Sequence, residues 1–429
     1  MAVQPTATDP GRWRSWNPLD PRNPLAGIYL TTLLFQMAEG SLRFLVPLNL
    51  HDRGQPAGVV GLVMFVFSFT SLLSRGVSAA LFRPDRARWL ILVAGLSSTA
   101  AYAITPLMTD PVPIGVLMAF DGFGWGVATT CLLAVVMIST PPSMSAAISM
   151  GWFVGFQSLS FAIATTVGGV LADLVGIQVA MLSLAGIPLF ASLLIVTRLP
   201  SHPAEPREPD AGPAGGEPRL QPRRLLAGLA GFAAMPAAVW VAALIAIYVN
   251  VMNGLLASFF PLLGLSLGLS IAQIGTLSSI RSGASALSRF SAGWLLGRVS
   301  ARRLMTPLLA LSAGTVALLP SIPAYLVLLP VFAANGLSRG MLRVTTAAAA
   351  MVAIRRDQAG SAAAAMTAGL DVGRMIGPLI GGGVATIVGL DLTFRVVPLV
   401  FLGIYLVLYP LAARRVPEAG STTAASSEG

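Results

Sequence analysis

Apolar residues run along this chain in long blocks separated by short breaks marked by Gly, Pro or charge. The first half shows such blocks near residues 25–50, 58–82, 89–108, 112–138, 148–172 and 177–197. The second half shows them near 238–262, 271–297, 303–322, 326–353, 362–388 and 396–413. Each is close to the roughly 20 residues a helix needs to cross a bilayer. The pattern therefore predicts an all-α membrane protein of twelve transmembrane helices. It divides the chain into an N-terminal tail (1–24), a six-helix bundle (25–197), a Pro-, Glu-, Arg- and Gly-rich linker (198–237), a second bundle (238–413) and a disordered tail (414–429).

Composition strengthens this picture and removes competitors. Apolar residues make up 55% and charged residues 10% of the 429 positions, and mean hydropathy is +0.78, whereas soluble domains carry about 25% charged residues. Cys131 is the single cysteine, and the two histidines, His51 and His202, are isolated, so a disulfide framework, a metal centre and a haem are all disfavoured. No cofactor is expected. The chain has no lysine and hence no nucleotide-binding Gly-x-x-x-x-Gly-Lys loop. His51-Asp52 alone does not make an enzyme site.

All 27 basic residues are arginine. With alternating sides, 18 fall on the side that holds both termini, only Arg53 and Arg395 fall on the other, and seven lie inside spans. By the positive-inside rule both termini are cytoplasmic, in a multi-pass plasma-membrane protein. The +10 net charge thus reflects topology rather than nucleic-acid binding. The first apolar run is too long for a cleavable signal peptide.

Sliding the second half over the first reveals an internal repeat at an offset of 214 residues. Gly40, Pro47, Gly54 and Gly61 fall on Gly254, Pro261, Gly268 and Gly275; Ser74-Arg75 falls on Ser288-Arg289; Gly126 falls on Gly340 and Gly168 on Gly382. Two parallel six-span repeats describe a secondary transporter with its site between the halves at the midplane.

Two segments carry a family resemblance. Arg289, Gly293, Leu295, Arg298, Arg302 and Arg303 resemble the Gly-x-Leu-x-Asp-Arg-x-Gly-Arg-Arg loop of the major facilitator superfamily, with Gly297 in place of the Asp and Ser300 in place of the Gly. The first-half copy keeps Arg75, Asp85, Arg86 and Arg88. The segment Gly373-x-x-x-Gly377-Pro378-x-x-Gly381-Gly382 is similar to a pattern found in fifth spans of drug:proton antiporters, but here it occupies the eleventh. At the 214 offset the fifth span has Leu159, Ile163, Ala164, Val167 and Gly168 instead. The resemblance implies a cytoplasmic latch at the loop and export as the direction of transport. The glycines also have a plain physical use, because close backbone approach supplies helix packing in lipid.

Ten ionisable residues lie inside spans: Glu39, Arg43, Arg75, Asp121, Arg281, Arg289, Arg339, Arg343, Asp371 and Arg374. Facing lipid they would cost on the order of 25 kcal/mol, so they face protein or water. Spans three, six, nine and twelve hold none of them, and the resemblance makes those four the peripheral supports. At 1.5 Å per residue, Glu39, Asp121, Arg281, Arg339 and Arg374 share a midplane layer. Glu39 and Asp121 are expected to include a proton-coupling site, with Arg43 one turn from Glu39; the alternative is a static bridge. Arg281, Arg339 and Arg343 suit an anionic substrate, or else serve as counter-ions to the acids. Asp371 and Arg374 are expected to pair with each other at i,i+3. Arg75 and Arg289, near the cytoplasmic end, are expected to snorkel or bond helix ends. Asn250 and Asn253 are candidate cavity hydrogen-bonders. The resulting expectation is a monomeric transporter whose partners are a small solute, protons and the bilayer. Proton-coupled export of an organic solute comes first, and uptake of an organic anion by proton symport is the alternative.

Overall fold

Within each half, the described helices follow one another with few residues between them. In the computed structural model, residues 25–140, 146–198, 237–296, 298–353 and 359–413 are described. Both tails, nearly all of the 198–237 linker and Gly297 lie outside the described residues, as do the side chain of Arg302 and the surroundings of Gly293. The first half comprises α1 (Ala26–Asp52), α2 (Ala57–Leu81), α3 (Ala87–Ile104), α4 (Pro111–Ser139), α5 (Ala146–Val175) and α6 (Ile177–Arg198). The second comprises α7 (Ala237–Ser266), α8 (Ile271–Leu296), α9 (Ala301–Leu318), α10 (Tyr325–Ala353) and the segment Ala359–Ala413. That last segment is broken at Gly389, whose φ of 81° and ψ of 167° are not helical. It is therefore two helices, α11 (359–388) and α12 (390–413), which makes twelve α-helices among the described residues.

The break at Gly389 corrects one expected boundary. A single left-handed glycine turns the chain without a loop, so α12 starts at 390 rather than 396 and takes Asp391 and Arg395 into its first turns. Gly176 does the same between α5 and α6, at φ 85°.

Nine segments among the described residues are long and apolar enough to cross a membrane, the last running through Gly389 from Gly369 to Leu408. α1 and α8 are missing from that set. α1 carries Gln36, Glu39, Arg43 and Asn49, and α8 carries Arg281, Arg289 and a series of serines. Their polar load marks helices that face something other than lipid.

Within the first half α1 packs on α5 and α6, α2 on α4, and α3 on α4 and α6. Within the second, α7 packs on α11, α8 on α10, and α9 on α10 and α12. The halves meet along two seams, α5 against α8 and α2 against α11. Small residues make these approaches possible. A methyl group at Gly126 would overlap Ser74 Oγ and come within 2.5 Å of the Ser71 carbonyl, and one at Gly340 would meet Ser288 Oγ and the Ser285 carbonyl. These contacts repeat at the 214 offset.

From the fifth span onward the register is different. Gly61 meets Pro378 and Gly382, and its mate Gly275 meets Thr165 and Gly169; the turn glycines are Gly176 and Gly389. Those equivalences lie 213 residues apart, because the first half has one residue more between Gly126 and Thr165 than the second has between Gly340 and Pro378. The corrected fifth-span counterpart of the Gly-rich pattern is Ser160-x-x-x-Ala164-Thr165-x-x-Gly168-Gly169. It is a small-residue version of the same stripe.

Candidate functional site

Between the halves lies a cavity of about 600 Å³. α1, α2, α4, α5, α7, α8, α10 and α11 line it, and among the described residues α3, α6, α9 and α12 contribute none. Its lining runs from mid-helix toward the arginine-rich end, the end of Arg83, Arg86, Arg88 and Arg298. At the arginine-poor end the halves are sealed. Gly169 packs on Ile271 and Gly61 on Gly382, and Asp173 of α5 accepts hydrogen bonds from the first two backbone N–H groups of α8, at Ile271 (3.1 Å) and Ala272 (3.0 Å). Anionic groups are stabilised at such helix starts. Beneath this cap, Thr165 Oγ1 donates to the Gly275 carbonyl at 2.9 Å and lies 2.8 Å from Ser279 Oγ.

Seven arginines line the cavity, namely Arg43, Arg75, Arg281, Arg289, Arg339, Arg343 and Arg374, with Asp371 as their single acid among the lining residues. Glu39 and Asp121, both at 0% exposure, stand behind the wall rather than in it. Glu39 lies 3.7 Å from Arg43 Nε and accepts a hydrogen bond from Tyr102 at 3.3 Å. Among the described residues its other oxygen and both oxygens of Asp121 make no hydrogen bond of good geometry, while Asp121 sits against Tyr102, Ser98 and Glu39. The Arg43 guanidinium is packed among rings, 5.1 Å from the centre of Phe67, 4.9 Å from Trp125 and 5.8 Å from Phe161. Trp125 is itself fixed by donating its indole N–H to Gln36 at 3.2 Å, and Arg374 from the second half lies 5.4 Å from its ring.

Asp371 does not pair with Arg374. Its carboxylate is 3.1 Å from Arg75 Nη1 in the other half, while Arg374, one turn on, is turned toward Trp125. Arg75 and Arg289 do not snorkel out of the bundle either, since both line the cavity. Asn250 is not in the cavity: it is buried and donates to the Ala246 carbonyl of its own helix at 3.2 Å. Asn253 is, and accepts from Arg281 at 3.2 Å. Arg339 is within electrostatic reach of Arg281, Arg289, Arg343 and Arg374. Gly377, Gly381 and the Pro378 ring pack on Val251, Gly254, Leu255 and Phe259 of α7, whereas the Pro378 carbonyl and Gly382 face Gly61 of α2. One face of the Gly-rich stripe thus builds the second half and the other meets the first. Arg298 lies exposed at the turn after α8. Among the described residues no three His, Cys, Asp or Glu side chains come together as a metal site would require.

Trp125, Gln36, Tyr102 and Phe161 were not foreseen as site residues. Gln36, a lone amide in an apolar run, is the only one the sequence flags; the rings look like ordinary span residues until folded.

The Major Facilitator Superfamily family model matches residues 28–270 and 239–429. No curated protein matches the chain. Among solved structures, a bacterial homologue of the human lysosomal transporter Spinster, in an inward-facing and occupied conformation, is similar at 13% identity and TM-score 0.73, covering 94% of this chain and 98% of that one. The nucleoside transporter NupG is similar at 13% identity and TM-score 0.71, covering 92% and 98%. A peptide transporter in complex with sulfate is similar at 12% identity and TM-score 0.68, covering 90% and 94%.

Proposed function

Since the chain belongs to the major facilitator superfamily and is thus a secondary transporter rather than an enzyme, we propose that it carries an organic anion into the cell together with protons. The arginine-rich end faces the cytoplasm in this reading, and the halves rock about the cavity to expose it to each side in turn. The observation that carries the proposal is the placement of Glu39 directly behind Arg43. Arg43 lines the cavity, and Glu39, 3.7 Å away, holds its charge in check. A proton taken up by Glu39, or shared with Asp121, frees the guanidinium to bind an anion. Proton and anion therefore bind together, which is the thermodynamic requirement for symport.

Export in exchange for protons needs the opposite arrangement, in which the proton displaces the solute. The Gly-rich stripe of α11, similar to that of drug:proton antiporters, is what favours this second reading. The two separate in proteoliposomes loaded with a pH-sensitive dye, with the membrane potential clamped, as a panel of organic anions and cations is added outside. Symport predicts that an added anion acidifies the lumen. Lumenal alkalinisation on adding a solute would instead establish antiport.

A further inference from the structure

The seven cavity arginines divide into two classes. Arg43 is matched by Glu39 and Arg75 by Asp371. Arg281, Arg289, Arg339, Arg343 and Arg374 have no carboxylate within 4.0 Å among the described residues. All five stand on α8, α10 and α11 of the second half. Nε and Nη1 of Arg281 and Nε of Arg289 are buried without a hydrogen-bond partner, and Arg339 is central to the group electrostatically. The first half's wall is different, with Trp125, Phe161, Phe153 and Phe44.

We infer that the substrate is an aromatic anion carrying at least two negative charges, its charged end on the second half and its ring against the first. This rests on the anion reading above. Like charges gathered on one wall repel one another, bound negative charge relieves that repulsion, and one carboxylate offsets one guanidinium. Five unpaired guanidiniums are poorly matched by a monoanion and well matched by groups that take two forks at once, since guanidinium and carboxylate or phosphate meet in paired hydrogen bonds. The aromatic wall supplies a face on which a flat body stacks. The volume of about 600 Å³ lies within the range of small-molecule sites, roughly 300 to 1,000 Å³. Trp125, with Arg374 at 5.4 Å, stands where the two walls meet and faces the junction between ring and charge.

The test is a charge series on one ring, benzoate, phthalate and trimesate, titrated at matched ionic strength against the full chain in nanodiscs, with cis-cyclohexane-1,2-dicarboxylate as the non-planar dianion and benzylamine as the aromatic cation. Phthalate is expected to bind at least ten-fold more tightly than benzoate, equivalent to about 1.4 kcal/mol, and more tightly than its cyclohexane analogue. Arg339→Gln should narrow the gap between benzoate and phthalate. Trp125→Leu should erase the preference for phthalate over the cyclohexane analogue and leave the charge gap in place. Equal affinity for benzoate and phthalate overturns the inference while sparing an anion carrier. Binding of benzylamine with none of the anions overturns the anion reading itself. The wild-type series decides both points, so it holds even if a variant fails to fold.

Discussion

Arg75 of α2 and Asp371 of α11 form an ion pair of 3.1 Å between opposite halves of the chain. Their side chains are 33% and 12% exposed, so the pair is partly wet and its strength lies between that of a surface bridge and a buried one. It ties the halves together at the level of the cavity. A double-mutant cycle with Arg75→Gln and Asp371→Asn, read by chemical unfolding in mixed micelles, should give a coupling energy of about 1 kcal/mol. The exchanged pair Arg75→Asp with Asp371→Arg should recover most of that loss, and additive single effects would show that the contact contributes nothing.

Glu39→Gln removes the charge that restrains Arg43 while keeping the side chain's shape. Because the amide cannot take up a proton, anion binding should lose its dependence on pH, with affinity fixed near its acidic-pH value. Exchange of labelled for unlabelled anion across the membrane should continue, and accumulation driven by a proton gradient should stop. A Glu39→Gln variant that still concentrates its substrate against a gradient when the outside is acid would place the coupling proton elsewhere.

Gly126→Ala and Gly340→Ala push a methyl group into Ser74 and Ser288 and onto the backbone carbonyls of Ser71 and Ser285. Overpacking of this kind costs about 1 to 3 kcal/mol. Gly383, with nothing within 4 Å of the added carbon, is a matched control in α11 at which alanine should be neutral or slightly stabilising. Relative folded yield and midpoint of unfolding of the three variants give the comparison.

Asp173 caps α8 from the opposite half across the shut, arginine-poor end. Asp173→Ala removes both charge-assisted contacts, worth about 1 to 2 kcal/mol together, and should shift the population roughly 5- to 30-fold toward the state open at that end. Pulsed electron resonance between spin labels at Val112 and Leu392 would report the change as growth of a longer distance. An unchanged distance distribution would mean that packing at Gly169 and Gly275, rather than the cap, holds the seam.

Much of this architecture is legible in the chain itself. Lipid imposes a length and an apolar composition on each span, and charges inside spans must turn inward, so the helices and six of the eight that line the cavity follow from elementary rules, whereas α5 and α7, which carry none of the ten charges, enter the lining only through the family resemblance. What escapes is partner choice. Arg75 and Asp371 are 296 positions apart, and Arg374 at i,i+3 is the nearer candidate for Asp371 on paper. The one-residue slip of the repeat escapes for a local reason. Gly168-Gly169 and Gly381-Gly382 are adjacent pairs, so offsets of 213 and 214 both align glycine with glycine, and only the contacts separate them. Burial of Glu39 and Asp121 behind Arg43, rather than in the cavity, likewise depends on rotations that spacing does not fix.

The polar load of α1 and α8 also bears on how the protein is made. α8 brings Arg281 and Arg289 into the bilayer, a burden of roughly 5 to 7 kcal/mol for insertion on its own. Leucines and isoleucines offset only about half a kilocalorie each. A helix so composed enters the membrane in company, leaning on its apolar neighbour α7 and on α5, already in place, until α10 arrives to cover it. The residues that equip the cavity thus make α8 dependent on helices from both halves, and biogenesis of the second bundle is tied to prior completion of the first.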